Sequence, residues 1–436
     1  MAPPGGSQSL KYRLRRAHPL RISSGVTLSR MANADEAELR RYQERRLRAV
    51  VAVAARRSPF YRKWFRDNSI EPGAIQTLDD LALLPLITRD DLVERPDDFR
   101  VYPASVMWRS HSSGTSGKAV TVYRTPGSSV YELGALERQW GWFGLPRSAR
   151  RVILRGWAGG TDGAVTREVP GARQLLVSSY NLTADRLDEI VTAIEDFRPD
   201  AIEGWPSSIT LLAALLAERG RRLPVRALIT SSEVMSARQR DLMREVFVGP
   251  IVDHYGQTER VALTGNCEAG GHHVFSDYGI VELLPVPGAA DRWEIVGTAL
   301  HNYGFPLLRY RTGDEVGPTP TTPCPCGRAF PQIGSIDGRS EDAFHTIDGR
   351  PLPLPATIVD DLVGLREVQI AQLAPGEFEV RVVPGRGYDR VEIAAQIHDN
   401  VATYFGAGQQ VTIRELESIP RPASGKLKPA VVIGGR

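Results

Sequence analysis

Over residues 34–57, Leu39, Leu47, Val50, Val51 and Val53 recur at mixed three- and four-residue spacings among charged side chains, which predicts a helix. The stretch S-P-F-Y-R-K-W-F breaks it with a proline and an aromatic cluster, and a proline-punctuated segment runs over 78–98. Beyond it, β-branched runs alternate with helical ones. Strands are predicted over 119–123, 151–160 (with a glycine-rich exit), 225–233 and 250–256, and helices over 130–143, 184–197, 207–219 and 237–246. This alternation predicts a mainly parallel, doubly wound α/β sheet, on which ligands lie at the carboxyl ends of strands. Over 274–310 the pattern shortens to strands and turns, as in V-E-L-L-P-V and W-E-I-V-G-T, which suits a β-rich subdomain. After about residue 340, E-F-E-V-R-V-V, a helix over 391–405 and Q-V-T-I-R-E-L outline a small α+β domain. No internal repeat is present.

Composition places the chain among globular proteins: of 436 residues, 42% are hydrophobic and 24% charged. The longest uncharged apolar stretch, 204–217, is too short to span a bilayer. The net charge of +3 is unevenly placed. Residues 1–34 carry six basic side chains and no acid, so the remainder stands at −3, which argues against a nucleic-acid-binding body. Residues 1–33 are expected to be a flexible basic leader; the transit-peptide alternative lacks a clear amphipathic period. The 3 cysteines, in a long chain without a secretion signal, argue against a disulfide scaffold and make the cytoplasm the expected compartment.

Of the 54 basic residues only five are lysine, namely Lys11, Lys63, Lys118, Lys426 and Lys428. Lys118 and Lys426 both persist inside Gly/Ser-rich loops, where a compact ammonium differs from a planar guanidinium. The first of these loops, S-S-G-T-S-G-K at 112–118, combines hydroxyls, glycines and an ammonium, a composition suited to phosphate. It is not a Walker A loop, because Ser112 stands where the first glycine belongs and Ala119 where Ser or Thr should follow the lysine. Four other stretches accompany it: D-H-Y-G-Q-T-E (253–259), R-Y-R-T-G-D (309–314), D-G-R-S-E-D (337–342) and P-R-P-A-S-G-K-L-K-P (420–429). Each alone reads equally well as a turn or a surface loop.

In this order and at these intervals the motifs resemble the adenylate-forming superfamily of acyl-CoA synthetases, adenylation domains and luciferases. The nearer likeness is to the phenylacetate-CoA ligase branch with its capsular-biosynthesis-type relatives, also through S-P-F-Y-R-K-W-F, L-P-L-I-T-R-D-D-L and C-P-C-G-R. The resemblance covers about residues 35–430. It implies an AMP-binding domain over 34–337 and a small mobile C-terminal domain over 338–436. It also implies ATP-dependent activation of a small carboxylic acid through an acyl-adenylate, with CoA as the expected acceptor. Relatives that pass the adenylate to an amine, activate nitrite or adenylylate a deazaflavin remain open, as do a degenerate scaffold and a homodimer.

By the same resemblance, Ser112, Ser113, Gly114, Thr115, Ser116, Gly117 and Lys118 would hold the β- and γ-phosphates. Thr258 would reach the α-phosphate and Glu259 would hold Mg²⁺. Ser232, Glu233, Tyr255 and the tight Gly256 would form the adenine cleft. Asp314 would accept the ribose hydroxyls with Arg339 nearby, Asp342 would mark the hinge, and Lys426 would come in to the α-phosphate and the acid. Trp157 is a candidate for the acyl pocket, with core packing as its alternative. The three cysteines with His273 make C-x5-H and C-x-C, so Cys267, His273, Cys324 and Cys326 are the expected ligands of a structural zinc, with His272 the rival for the fourth place.

Overall fold

The structure, a computed structural model, describes residues 18–111, 120–155, 163–169, 171–339, 344–347, 351–352, 357–360, 362–421 and 427–433. The chain forms two units, Met1–Arg147 with Val252–Ile336, and Ser148–Ile251 with Asp337–Arg436.

The first unit begins with a difference from the sequence reading. Part of the expected leader is helix α1 (Leu20–Ala32), with Leu28 and Met31 buried. Leu28 packs against Tyr131 and Ala135 of α5 (Pro126–Trp142), and Gly134 permits the approach, since a Cβ there would lie 2.7 Å from Leu28 Cδ1. The basic Arg21 is paired with buried Glu137 of α5 at 2.7 Å. Leu20, Ile22 and Val26 are exposed while Leu28 and Met31 are buried, so the apolar positions leave almost no helical period and the helix is legible only through its tertiary partners.

Helix α2 (Glu36–Arg57) starts at Asp35, whose carboxylate accepts from the Glu38 N–H, and buries Leu39, Leu47, Val50 and Val51. Ser58 separates it from α3 (Pro59–Asp67), which starts on its proline, and α4 (Arg89–Glu94) opens on a Thr88/Asp91 capping box. Strands β1 (Trp108–His111) and β2 (Thr121–Arg124) pair antiparallel, and His111 opposite Thr121 is the last pair before the Ser/Gly/Lys segment. Thr125 then caps α5.

In the second unit, β3 (Arg151–Arg155), β4 (Thr166–Val169), β5 (Gln174–Ser178), β6 (Ala201–Gly204) and β7 (Ala227–Ser231) lie in the order β7-β6-β3-β5-β4, parallel except for the edge strand β4. Helices α6 (Leu187–Phe197), α7 (Pro206–Glu218) and α8 (Ala237–Phe247) connect them, and Val152, Leu154, Ile202, Leu212, Leu228 and Phe247 share their core. This is the helix–strand alternation around a mainly parallel sheet that the sequence predicts.

The chain returns to the first unit through β8 (Ile251–Gly256), β9 (Leu263–Asn266) and β10 (His272–Val274), an antiparallel meander. Strands β11 (Gly279–Pro285), β12 (Trp293–Ala299) and β13 (Tyr310–Val316) form the expected β-rich part.

After β14 (Ile336–Arg339), β15 (Phe344–His345), β16 (Pro351–Leu352) and α9 (Thr357–Asp360), the C-terminal sheet is built from β17 (Leu365–Ala374), β18 (Glu377–Pro384), β19 (Gln410–Glu415) and β20 (Ala430–Val432). Its order is β19-β18-β17-β20, and α10 (Arg390–Phe405) crosses between the parallel pair β18 and β19. Within this unit the C-terminal part meets the doubly wound part through Arg366, which forks onto the Glu218 carboxylate with both bonds at 2.7 Å, and through Arg238, which donates to the Leu365 carbonyl. Among the described residues no helix is long and apolar enough to cross a membrane.

Candidate functional site

Two carboxylates of the first unit are held by two tyrosines in a crossed arrangement. Tyr255, near the end of β8, donates its hydroxyl to Asp314 Oδ2 of β13 at 2.6 Å. Tyr310, at the start of β13, donates to Glu259 Oε1 in the turn after β8 at 3.2 Å. Glu259 is 3% exposed and Asp314 8%, so both acids sit in surroundings of low dielectric where each hydrogen bond fixes an oxygen. Burial, then the Asp314 charge and its hydrogen bond, push the Tyr255 phenol well above its ordinary value, so it remains a neutral donor.

Asp314 reaches this place because β13 is irregular. Glu294 pairs with Glu315 and Val296 with Arg311, so Ile295 alone faces Thr312, Gly313 and Asp314. Gly313 takes φ +72°, the Thr312 hydroxyl bonds the Ile295 carbonyl at 2.8 Å, and the Asp314 N–H bonds Thr312 Oγ1 at 3.0 Å. The T-G-D triplet is therefore a bulge that re-aims its acid.

The Gln257–Thr258–Glu259 turn is tied down from two sides. Arg124, the last residue of β2, donates to the Thr258 carbonyl at 2.6 Å. Arg260 follows with φ +59°, an uncommon conformation for a side-chain-bearing residue, and its buried guanidinium is held by Glu132 and by Ser129 Oγ at 2.9 Å, both on α5. Neither Arg124 nor Tyr310 has a role in the sequence reading. Tyr310 carries a signal, since it lies inside R-Y-R-T-G-D, whereas Arg124 carries none.

In the second unit, Ser232 leaves β7 at φ +72°. Glu233 turns to the start of α7, where its carboxylate accepts from the Ser207 N–H at 2.9 Å and hydroxyl at 3.1 Å. The helix dipole favours this placement, so Glu233 serves as a cap besides whatever it offers a nucleotide. Arg339 ends β14. Ser112, Ser113, Gly114, Thr115, Ser116, Gly117, Lys118, Trp157, Asp342 and Lys426 lie outside the described residues.

The second constellation converges. The ligand atoms of Cys267, His273, Cys324 and Cys326 all lie within 4.8 Å of one another, with Cys267 Sγ 3.5 Å from Cys324 Sγ and Cys326 Sγ 3.4 Å from His273 Nε2. Four donors about 2.1–2.3 Å from one tetrahedral ion stand roughly 3.4–3.8 Å apart, so the set is close to closure. His273 Nδ1 bonds the Phe330 carbonyl at 2.8 Å, which leaves Nε2 toward the thiols. His272, one residue earlier on β10, faces the other way and bonds Thr264 Oγ1 at 2.6 Å.

Gly271 keeps the space open, since a Cβ there would lie 2.5 Å from Cys324 Sγ. The two loops meet because β10 bonds the segment after the C-x-C turn, Val274 N–H to Pro331 O at 2.8 Å and Ile333 N–H to His272 O at 2.9 Å. Burial keeps His273 neutral, lowering it below its ordinary value, and pushes the Cys267 thiol up to about 12. The donor chemistry, the ring orientation and the glycine cradle all fit a soft divalent metal.

Three comparisons bear on these sites. The CapK C-terminal domain family matches residues 355–432. Phenylacetate-coenzyme A ligase of Thermus thermophilus is 28% identical over 320 residues, covering 70% of this chain and 71% of that one, and Protein CapK of Staphylococcus aureus is 20% identical, covering 89% and 88%. Among solved structures, 2-hydroxyisobutyryl-CoA ligase in the postadenylation state, in complex with 2-HIB-AMP, superposes with TM-score 0.72 at 21% identity over 94% of this chain and 92% of that one.

Proposed function

We propose that this chain, a member of the phenylacetate-CoA ligase-like branch of the adenylate-forming superfamily, activates a small carboxylic acid with ATP and transfers the acyl group to CoA. The observation that carries this reading is the crossed Tyr255–Asp314 and Tyr310–Glu259 arrangement. It presents two oriented buried carboxylates from adjacent elements, one suited to sugar hydroxyls and one to a hard cation.

In the first half-reaction a carboxylate oxygen of the acid bonds to the α-phosphorus, the bond to the bridging oxygen breaks, and pyrophosphate leaves. Charge builds on phosphate oxygens, so the chain's work is positioning and electrostatic stabilisation. By the resemblance Ser112–Lys118 would take the departing β- and γ-phosphates, Thr258 the α-phosphate, Asp314 and Arg339 the ribose, and Lys426 the α-phosphate and the incoming acid. By the same resemblance Ser232, Glu233, Tyr255 and Gly256 would take the adenine, and Trp157 is the candidate for the acyl group. Glu259 would hold Mg²⁺, which supplies charge neutralisation on the phosphates. In the second half-reaction the CoA thiolate bonds to the acyl carbon and AMP leaves; Asp342 is the hinge for that exchange of steps. Cys267, His273, Cys324 and Cys326 would hold zinc that pins two loops, and three cysteines outside any disulfide suit the cytoplasm.

The test is pyrophosphate release from purified protein with ATP and a panel of acids, followed by hydroxylamine trapping and mass spectrometry of products formed with CoA, amines or nitrite. ATP-dependent release with a CoA thioester as product supports the proposal. Intact ATP binding without release from any acid overturns it, and an amide or diazonium product overturns the choice of acceptor. Glu259→Gln should abolish release while leaving the fold intact by circular dichroism.

A further inference from the structure

The described residues on either side of 422–426, the segment carrying Lys426, are held by one face of one strand. Residues 422–426 themselves lie outside the described residues, but Arg421 before them and Leu427 and Lys428 after them do not. Arg421 forms an ion pair with Glu367 of β17, and their side chains are 9% and 6% exposed. The second Glu367 oxygen accepts from the Ile419 N–H at 3.4 Å. Two residues along β17, on the same face of the strand, Gln369 donates through Nε2 to the Lys428 carbonyl at 2.8 Å. Its Oε1 is held by Arg381 of β18 at 2.7 Å, which fixes the amide's orientation.

Apolar packing repeats the same two-sided grip. Ile419 and Leu427, one on each flank, are buried together with Val383. The far flank continues directly into β20, parallel to β17, with the Ile370 N–H on the Pro429 carbonyl at 2.8 Å.

A surface loop needs none of this. A buried ion pair is an expensive way to hold a turn, because desolvating both charges offsets most of their attraction. What such a pair does provide is a fixed place, because moving either buried charge away strands the other; Arg421 Nη1 is itself buried with no hydrogen-bond partner among the described residues, so the Glu367 contact is what ties this guanidinium down. We propose that Glu367 and Gln369 are positioning residues that set the two stems of the 422–426 segment and thereby the reach of Lys426; this rests on the reading of Lys426 as the adenylating lysine. Neither touches substrate. Their effect belongs to the half-reaction in which Lys426 acts, and that selectivity separates positioning from general support of the fold.

The experiment uses the full chain and measures both half-reactions with the acid identified by the panel: ATP-dependent pyrophosphate release, and thioester formation from synthetic acyl-AMP and CoA. Lys426→Ala is the reference and should lose only the first. Glu367→Gln, which keeps shape but removes the charge facing Arg421, should lower kcat for pyrophosphate release about tenfold to a hundredfold, with thioester formation changed by less than about twofold. Gln369→Leu should show the same split, and it carries the test alone should Glu367→Gln fail to fold. Equal loss of both half-reactions, or unchanged pyrophosphate release in a folded variant, overturns the positioning role. Retention of pyrophosphate release by Lys426→Ala is a different failure, because it removes the reading on which the role rests.

Discussion

The hydroxyl of Tyr255 lies 2.6 Å from Asp314 Oδ2 and donates to it, so one oxygen of this buried acid is spoken for before any nucleotide arrives. A hydrogen bond to a charged group contributes about 1.5–3 kcal/mol, and here it fixes the carboxylate plane. Tyr255→Phe should therefore raise KM for ATP about tenfold or more, and Asp314→Asn further, with KM for the acid unchanged. Steady-state kinetics with each substrate varied in turn checks this; an equal rise for both substrates would contradict a nucleotide-specific role.

Arg124 holds the Thr258 carbonyl from the strand that leads out of the Ser/Gly/Lys segment. Arg124→Met should lower kcat for pyrophosphate release about tenfold, through loss of a charged hydrogen bond, with a smaller change in the melting temperature than core truncation produces. A variant with wild-type kcat would show that the turn holds its shape without the arginine.

The four-donor cluster predicts about one zinc per chain by elemental analysis. His273→Ala and Cys326→Ser should release it and lower the melting temperature by roughly 5–10 °C. His272→Ala should keep the metal, because that ring points away from the cysteines and bonds Thr264 of β9. Metal loss from the His272 variant alone would reverse the ligand assignment.

Arg138 and Asp277 form a buried pair with side chains 6% and 0% exposed, and the guanidinium lies over the rings of Phe275 and Phe330. Removing one partner strands a charge, so Asp277→Ala should cost about 3–5 kcal/mol in denaturant unfolding. A cost below about 1 kcal/mol would mean that water reaches the site.

Burial raises the pKa of Tyr61, Tyr131, Tyr255 and Tyr278 above the ordinary value of 10.0. In the unfolded chain these phenols ionise near 10, whereas in the folded chain they stay protonated to higher pH. Their contribution to stability is thus fully present below about pH 10 and is lost as pH climbs through the folded values. Denaturant unfolding across the alkaline range should show a flat contribution up to that point and a fall beyond it. Spectroscopic titration should find these four tyrosines silent in the native protein, and early ionisation of any of them would contradict its burial.

Features that depend on neighbours along the chain are legible in its residue pattern. The spacing of Leu47, Val50 and Val51 marked α2, the alternation of β-branched and helical runs marked β3, β7 and the mainly parallel α/β class of their sheet, and E-F-E-V-R-V-V with Q-V-T-I-R-E-L marked the β18–α10–β19 unit. Turn chemistry and periodicity are short-range, so they are written in composition and spacing. Features that depend on register and distant partners come from long-range packing alone. Two adjacent histidines are interchangeable in a sequence, yet strand alternation sends His273 to the cysteines and His272 to Thr264. Helix α1 exists through the close approach that Gly134 allows, Glu233 became a helix cap because α7 begins beside it, and Asp314 points where a bulge opposite Ile295 aims it. A side chain's partner is chosen by elements far away along the chain, and no local pattern records that choice.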